Sequence, residues 1–166
     1  TDKLESQKLK FNVQLIDFSG KIHKSWNGEF FSEANNSKII HKINLSSLNV
    51  EPNYFNDKFL YANALINEEI IAEKMKYLTA IKNLDIAAPN FTYEVKALSN
   101  FYEIKLFSEN LVKNLFIDSD LEHNFSDNYF DLRPKEQKVI RIKRDKFHSI
   151  KSFKESLDFL SLYDTY

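Results

Sequence analysis

Alternation of apolar and polar residues with a period of two recurs along most of this 166-residue chain. In 8–16 every second side chain is apolar, the apolar members being Leu9, Phe11, Val13 and Leu15. Such a pattern is typical of a β-strand with one buried face. Similar stretches follow at intervals of about 8–12 residues with short polar turns between them, which is typical of antiparallel sandwiches. The pattern therefore predicts an all-β chain.

The predicted strands fall into two series. Those of the first series are Lys8–Ile16, Lys21–Trp26, Glu29–Ala34, Lys38–Leu45, Phe59–Ile66 and Ile70–Tyr77. Gly20 and the pair Asn27-Gly28 are interpreted as turns, since both residue types accept positive φ. The last stretch also contains good helix formers, and a strand is favoured because a hairpin at this spacing matches its neighbours.

The second series begins at Phe91 and contains the strands Phe91–Ala97, Tyr102–Leu106, Leu111–Ile117, Lys138–Lys143 and Asp158–Tyr166. Asp145–Glu155 is ambiguous, with one helical turn left open. Weak periodicity from Leu78 to Pro89 places a domain boundary at about Ile81–Leu84, which predicts domains 1–82 and 83–166. Two tandem immunoglobulin-like β-sandwiches fit this division better than one large barrel.

Composition excludes several classes of function. The chain has 23 basic and 24 acidic residues, a net charge of −1, so it has no strong field that would attract nucleic acid or an anionic membrane. It has no cysteine, which excludes disulfides, thiol catalysis and cysteine-based zinc sites. No apolar run approaches the ~18 residues of a membrane-spanning helix. Neither a nucleic-acid partner nor a membrane is expected.

No group of residues has the spacing of a catalytic or metal site. The four histidines, His23, His41, His123 and His148, lie far apart in the sequence. Neighbouring acids such as Glu68-Glu69 lie on predicted turns, whereas a glycosidase needs two carboxylates at a fixed separation on a rigid scaffold. We therefore predict no catalytic, cofactor-binding or metal-binding residue in this chain.

Two weaker signals have ordinary explanations. The basic residues between Lys138 and Lys146 alternate with isoleucines, which is typical of the solvent-exposed face of a strand. Trp26 with Phe30 and Phe31 could stack on a sugar, although core or interdomain packing is the favoured interpretation.

The stretch 124–136, NFSDNYFDLRPKE, predicts a corner. Its aromatic rings are predicted to enter a core, and its short polar residues are predicted to stiffen a turn. A proline is predicted to end the segment, because it has no N–H to donate to a neighbouring strand. The residues of this motif are Phe125, Ser126, Asp127, Asn128, Tyr129, Phe130, Asp131, Leu132 and Pro134.

The sequence from Asn114 to Ile142 closely resembles the C-terminal immunoglobulin-like domain of β-mannosidases of glycoside hydrolase family 2. Residues 125–132 match that family's FSDNYFDL segment without a break, and the ending SLYDTY resembles bacterial members. The first half is similar, more loosely, to the preceding mannosidase sandwich through the hairpin Leu9–Trp26.

The sequence departs from the family in two places. The family commonly has Pro-Gly-Glu where this chain has Pro134-Lys135-Glu136, and lysine predicts a type I turn rather than one that demands positive φ. The family's penultimate sandwich also has strands ahead of the position of Thr1, so we expect the first domain to be truncated, with an exposed edge.

The resemblance implies that the complete enzyme removes terminal, non-reducing β-linked mannose with retention of configuration, using two glutamates on an upstream (β/α)₈ barrel. This fragment alone is then expected to be inactive, to need no cofactor, and to pack on that barrel as an architectural part. It would meet the mannoside only through the full enzyme, and a periplasmic or secreted location is favoured if the source is bacterial. The alternatives are a carbohydrate-binding module and a free-standing adhesion or docking domain.

Overall fold

A computed structural model describes residues 7–33, 39–120, 125–144 and 149–165. The chain divides into two compact units, Thr1–Asp17 with Lys21–Asp85, and Phe18–Gly20 with Ile86–Tyr166. In the described residues β-strands dominate both units, and the single α-helix has six residues. The predicted all-β class with two immunoglobulin-like domains is confirmed.

The first unit contains one four-stranded antiparallel sheet in its described residues, in the order β2-β1-β3-β4. The strands are β1 (Gln7–Asp17), β2 (Ile22–Ser32), β3 (Lys58–Ile66) and β4 (Glu69–Tyr77). Short 3₁₀ turns occupy Leu45–Leu48, Pro52–Phe55 and Ile81–Asn83.

The hairpins of this sheet follow from turn chemistry. Gly20 has a φ of +86° after β1, as its position predicts. Asn67 and Glu68 join β3 to β4 with φ values of +49° and +66°, the pattern of a two-residue turn whose twist matches the strands. The strand assignment for 70–77 is therefore confirmed over the helical alternative.

The predicted turn at Asn27-Gly28 is wrong, because β2 runs through it without a break in register. The glycine serves close packing instead. A Cβ on Gly28 would lie 2.8 Å from Cε1 of Phe11, whose ring crosses β2 at this point. A glycine inside a strand often marks such an approach rather than a turn.

The predicted strand Lys38–Leu45 is also wrong where the structure describes it, since residues 39–44 are irregular. Short polar side chains satisfy the backbone locally there. The Asn44 side chain accepts a hydrogen bond from the Ser46 N–H at 3.1 Å and begins the 3₁₀ turn. Such local bonds compete with a sheet ladder. Residues 34–38, which include the end of the predicted strand Glu29–Ala34 and the start of Lys38–Leu45, lie outside the described residues.

The second unit contains two three-stranded antiparallel sheets, β10-β7-β8 and β5-β6-β9. The elements are β5 (Phe91–Ala97), β6 (Phe101–Ser108), β7 (Val112–Ser119), β8 (Phe130–Leu132), β9 (Gln137–Lys143), α1 (Ile150–Glu155) and β10 (Leu157–Leu160). The core draws side chains from both sheets and from the helix, among them Ile104, Leu115, Ile117, Ile140 and Phe153. The rings of Tyr102 and Phe153 stack 4.3 Å apart within it.

The end of the chain differs from the predicted strand Asp158–Tyr166. Strand β10 stops at Leu160 and a 3₁₀ turn, Leu162–Thr165, follows. The Asp164 carboxylate accepts bonds from the backbone N–H and the hydroxyl of Ser161, both at 2.7 Å. This local turn removes the backbone of 161–165 from the sheet.

Candidate functional site

The corner joins the two sheets of the second unit. Phe125 forms an isolated bridge with Ile142 of β9, whereas Phe130 pairs with Leu115 of β7. The four residues between them therefore carry the chain from one sheet to the other. Asn124, the first residue of the predicted stretch, and the preceding His123 lie outside the described residues.

Ser126 attaches the corner to β9 through both its backbone and its side chain. Its N–H donates to the Arg141 carbonyl at 2.9 Å, and its hydroxyl accepts from the Arg141 N–H at 2.9 Å. The hydroxyl thus replaces a backbone carbonyl of a paired strand. Beside it, Asp127 forms an ion pair with Lys138 at 2.8 Å.

Asn128 attaches the corner to β7 in the same way. Its Oδ1 accepts from the Ile117 N–H and its Nδ2 donates to the Ile117 carbonyl, both at 2.8 Å. The side-chain amide therefore extends the ladder by two residues beyond the pair Leu115–Phe130. Oδ1 also accepts from the Tyr129 N–H at 3.0 Å.

Tyr129 was predicted to be buried, and this is wrong because its side chain is 70% exposed. Its φ of +57° is uncommon for a residue with a bulky side chain. This backbone conformation turns the ring outward onto Phe116, with the centroids 4.5 Å apart and the planes at 23°. The other two rings do enter the core: Phe130 is buried and Phe125 packs against it. The ammonium group of Lys138 lies over the Phe130 ring, 4.4 Å from its centroid.

Asp131 faces a bulge in β7 that the apolar pattern of this strand does not predict. Lys113 and Asn114 together oppose this single residue, and Asn114 has a φ of +51°. Oδ1 of Asp131 accepts from the Asn114 N–H and from Nζ of Lys113, both at 2.9 Å. The Lys113 side chain is only 10% exposed, so this carboxylate balances a buried charge. A polar Lys-Asn pair inside an apolar run was the signal that could have revealed the bulge.

The type I turn predicted at the end of the corner is wrong. Leu132 and Pro134 are buried, as a closing segment requires. Lys135, however, has a φ of +59°, which a type I turn excludes. Its N–H donates to the Ser108 carbonyl at 2.6 Å. The turn thus uses a lysine where glycine would be unstrained.

The three rings predicted as a possible sugar platform do not share one face. Trp26 and Phe30 lie on the same face of β2, and Phe31 points to the opposite face because the strand is regular. Trp26 and Phe30 are half-buried, and Phe30 packs 6.4 Å from Phe11. Phe31 is 60% exposed.

Two grooves lie on the surface of the described residues, one in each unit. A groove of about 340 Å³ in the second unit is lined by one carboxylate, Glu94, and a groove of about 520 Å³ in the first unit by one, Glu73. Neither offers the pair of carboxylates that the reaction needs. No cluster of three potential metal ligands occurs in the described part of the chain. None of its helices is long and apolar enough to cross a bilayer.

Family models match both halves of the chain. The model of a mannosidase Ig/CBM-like domain matches residues 1–83, and an Ig-fold domain model of the mannosidase type matches residues 86–165. A search of curated proteins found no match.

Solved structures with the same fold include two glycosidases. A β-D-mannosidase from Dictyoglomus thermophilum aligns with a TM-score of 0.74 at 21% identity, over 96% of this chain and 19% of its own. An exo-chitosanase from Amycolatopsis orientalis aligns with a TM-score of 0.60 at 11% identity, over 96% of this chain and 23% of its own. The chain thus spans about a fifth of the length of each of these proteins.

Proposed function

Because the chain belongs to the mannosidase families of Ig/CBM-like and Ig-fold domains, we propose that it is the non-catalytic C-terminal part of a β-mannosidase. The complete enzyme would hydrolyse terminal, non-reducing β-mannosides with retention of configuration. The chemistry would take place on a catalytic barrel elsewhere in the same polypeptide. These two units would pack on that barrel and maintain the shape of the enzyme.

The observation that carries this proposal is the set of hydrogen bonds formed by the polar side chains of the corner. Ser126, Asn128 and Asp131 each bond the backbone of a neighbouring strand. A catalytic carboxylate or amide must keep its polar atoms directed at a substrate. The polar groups of this motif are instead engaged in bonding the corner to the strands on either side of it, which supports an architectural role.

The proposal is tested by assaying the 166-residue chain with nitrophenyl β-D-mannoside. We expect no hydrolysis above the uncatalysed rate, in a sample that circular dichroism shows to be folded. Turnover that co-purifies with the chain and is independent of the expression host would refute it.

The architectural role needs a second experiment on the complete polypeptide. Deleting residues 86–165, the extent of the second family match, should lower the melting temperature and the yield of soluble enzyme. The Michaelis constant of the remaining active molecules for nitrophenyl β-D-mannoside should change little, because this small substrate would be bound by the catalytic barrel alone. A large rise in that constant, at an unchanged melting temperature, would point to a substrate-binding role instead.

A carbohydrate-binding module is the second candidate, favoured by the shared face of Trp26 and Phe30. Trp26 is the only tryptophan in the chain, so its fluorescence reports that face directly. Titration with β-1,4-mannooligosaccharides to about 10 mM would detect even millimolar affinity. A flat signal removes this candidate for the first unit.

A further inference from the structure

An exposed row of apolar side chains crosses the outer face of the β10-β7-β8 sheet. Phe116 of β7 is the register partner of Leu160 of β10, and on its other side it carries the ring of Tyr129. Leu160 is 46% exposed and Tyr129 70%. We call Leu160, Phe116 and Tyr129 the ring row.

The orientation of the Tyr129 ring is fixed at an energetic cost. A φ of +57° is unfavourable for a residue with a Cβ. The conformation is maintained by Asn128, which bonds both the Ile117 backbone and the Tyr129 N–H. Since the ring lies nearly parallel to that of Phe116, one of its faces is covered and the other is turned to solvent. Strain that presents a flat ring to solvent suggests a binding role for the ring.

A row of carboxylates lies next to the ring row on the same face. Asp118 and Asp158 are register partners, each two residues from a member of the ring row and therefore about 7 Å away along its strand. Both side chains are exposed. Oδ1 of each accepts the N–H of the following residue at 2.8 Å. In the described part of the chain no ion pair is formed by either carboxylate, although like charges directly opposite each other are unfavourable.

We propose that this surface binds the pyranose ring of a β-linked mannooligosaccharide. The C–H face of the sugar would lie on the free face of Tyr129, and its hydroxyls would donate to Asp118 and Asp158. A flat ring beside acceptors suits a ligand that is apolar on one face and rich in hydroxyl donors at its edge. Those donors would also reduce the repulsion between the two carboxylates.

The size of the surface favours a sugar over a protein partner. A stable protein interface covers about 800 Å² on each side. The ring row has three side chains, and charged residues begin two positions along the strands. An area of that size matches one or two sugar rings, and a weak, millimolar affinity is expected. The choice of a mannose-based ligand rests on the proposed function, whereas the surface itself is formed by the second unit alone.

The test is a titration of the ¹⁵N-labelled chain with β-1,4-mannotriose to about 10 mM, followed by amide chemical shifts. We expect shifts at residues 116–118, 128–130 and 158–160. Tyr129→Gly removes the ring and accepts the positive φ without strain, so it should remain folded. It should weaken binding by about tenfold or more, whereas Tyr129→Phe, which keeps the ring, should change it less than about threefold.

The matched control is Phe107→Ala, which removes a ring that is 38% exposed on the outer face of the other sheet. This variant should bind as the unmodified chain does. Absence of shifts at the highest concentration would overturn the proposal. So would equal binding by Tyr129→Gly, or concentration-dependent dimerisation that perturbs the same amides without sugar.

Discussion

Replacement of Asn128 tests whether a single side chain joins the corner to β7. Asn128→Ala removes three hydrogen bonds of 2.8–3.0 Å and leaves the N–H and carbonyl of Ile117 unpaired. Each such bond contributes about 0.5–1.5 kcal/mol net, so we expect a loss of about 2–4 kcal/mol in the free energy of unfolding. Asn128→Asp preserves the accepted bonds and loses only the donated one, at about 1–3 kcal/mol near neutral pH.

The two variants should respond differently to pH. In Asn128→Asp the ionised carboxylate would face the Ile117 carbonyl, whereas the neutral acid could donate a hydrogen bond to it. The folded state therefore favours the neutral form and raises the pKa of the introduced carboxyl above its unfolded value of about 3.9. The destabilisation is then present above that raised pKa and fades as the pH falls through it. Asn128→Ala has no such group, and its deficit relative to the unmodified chain should stay constant.

Amide hydrogen exchange is the appropriate assay, because the single tryptophan lies in the first unit and does not report on the second. The Ile117 N–H should lose protection by more than about tenfold in Asn128→Ala. The control is Asn100→Asp, the same chemical change at an exposed position of the same unit, which should alter stability by less than about 0.5 kcal/mol. If Asn128→Ala also falls within that range, or if the cost of Asn128→Asp is independent of pH, the amide does not join the strands as argued.

Three further predictions concern other contacts. Asp131→Ala should destabilise the second unit by about 3–5 kcal/mol, because the buried ammonium of Lys113 loses its counter-charge. Hydrogen exchange would measure this loss of stability, and a value below about 1 kcal/mol would contradict the prediction. Gly28→Ala should cost about 1–3 kcal/mol, since the new methyl would lie 2.8 Å from the phenylalanine ring that crosses the strand; urea unfolding followed by tryptophan fluorescence tests the same strand. The hydrogen bond from Lys8 lowers the pKa of Glu29, so its stabilising effect exists above the unfolded value of about 4.3 and is lost as the pH falls through the folded pKa. A carboxyl NMR titration should show that pKa returning toward about 4.3 in Lys8→Gln, and an unchanged value would refute the pairing.

Strand periodicity was the most informative part of the sequence. The stretches 8–16, 59–66 and 91–97 became strands because each has one apolar face that a sheet can bury. Turn residues were informative only where their surroundings allowed a turn. Gly20 provides a positive φ, whereas Gly28 provides space for a ring from the neighbouring strand. Sequence alone does not distinguish these two uses of glycine.

The corner was recognised from its residues, but its geometry was not predictable from them. Positive φ at Tyr129 and Lys135 contradicts local preference, so both conformations are imposed by contacts distant in sequence. For Tyr129 the relevant contact is with Ile117, eleven residues from Asn128. For Lys135 it is the bond to the Ser108 carbonyl. Neither partner can be read from the motif itself.

A binding surface needs a fixed backbone and an exposed residue that contacts the ligand, and in the corner different residues supply these two features. The inward side chains of the corner, among them Phe130 and Leu132, fix the position of the backbone through burial. Asn128 and Asp131 then transmit that position to β7 through hydrogen bonds. Tyr129 projects outward, on a backbone conformation that it would not adopt alone. An exposed ring whose orientation is determined by buried neighbours loses little conformational entropy when it binds a ligand. For that reason we expect Tyr129, rather than the mixed polar residues around it, to dominate any affinity of this surface.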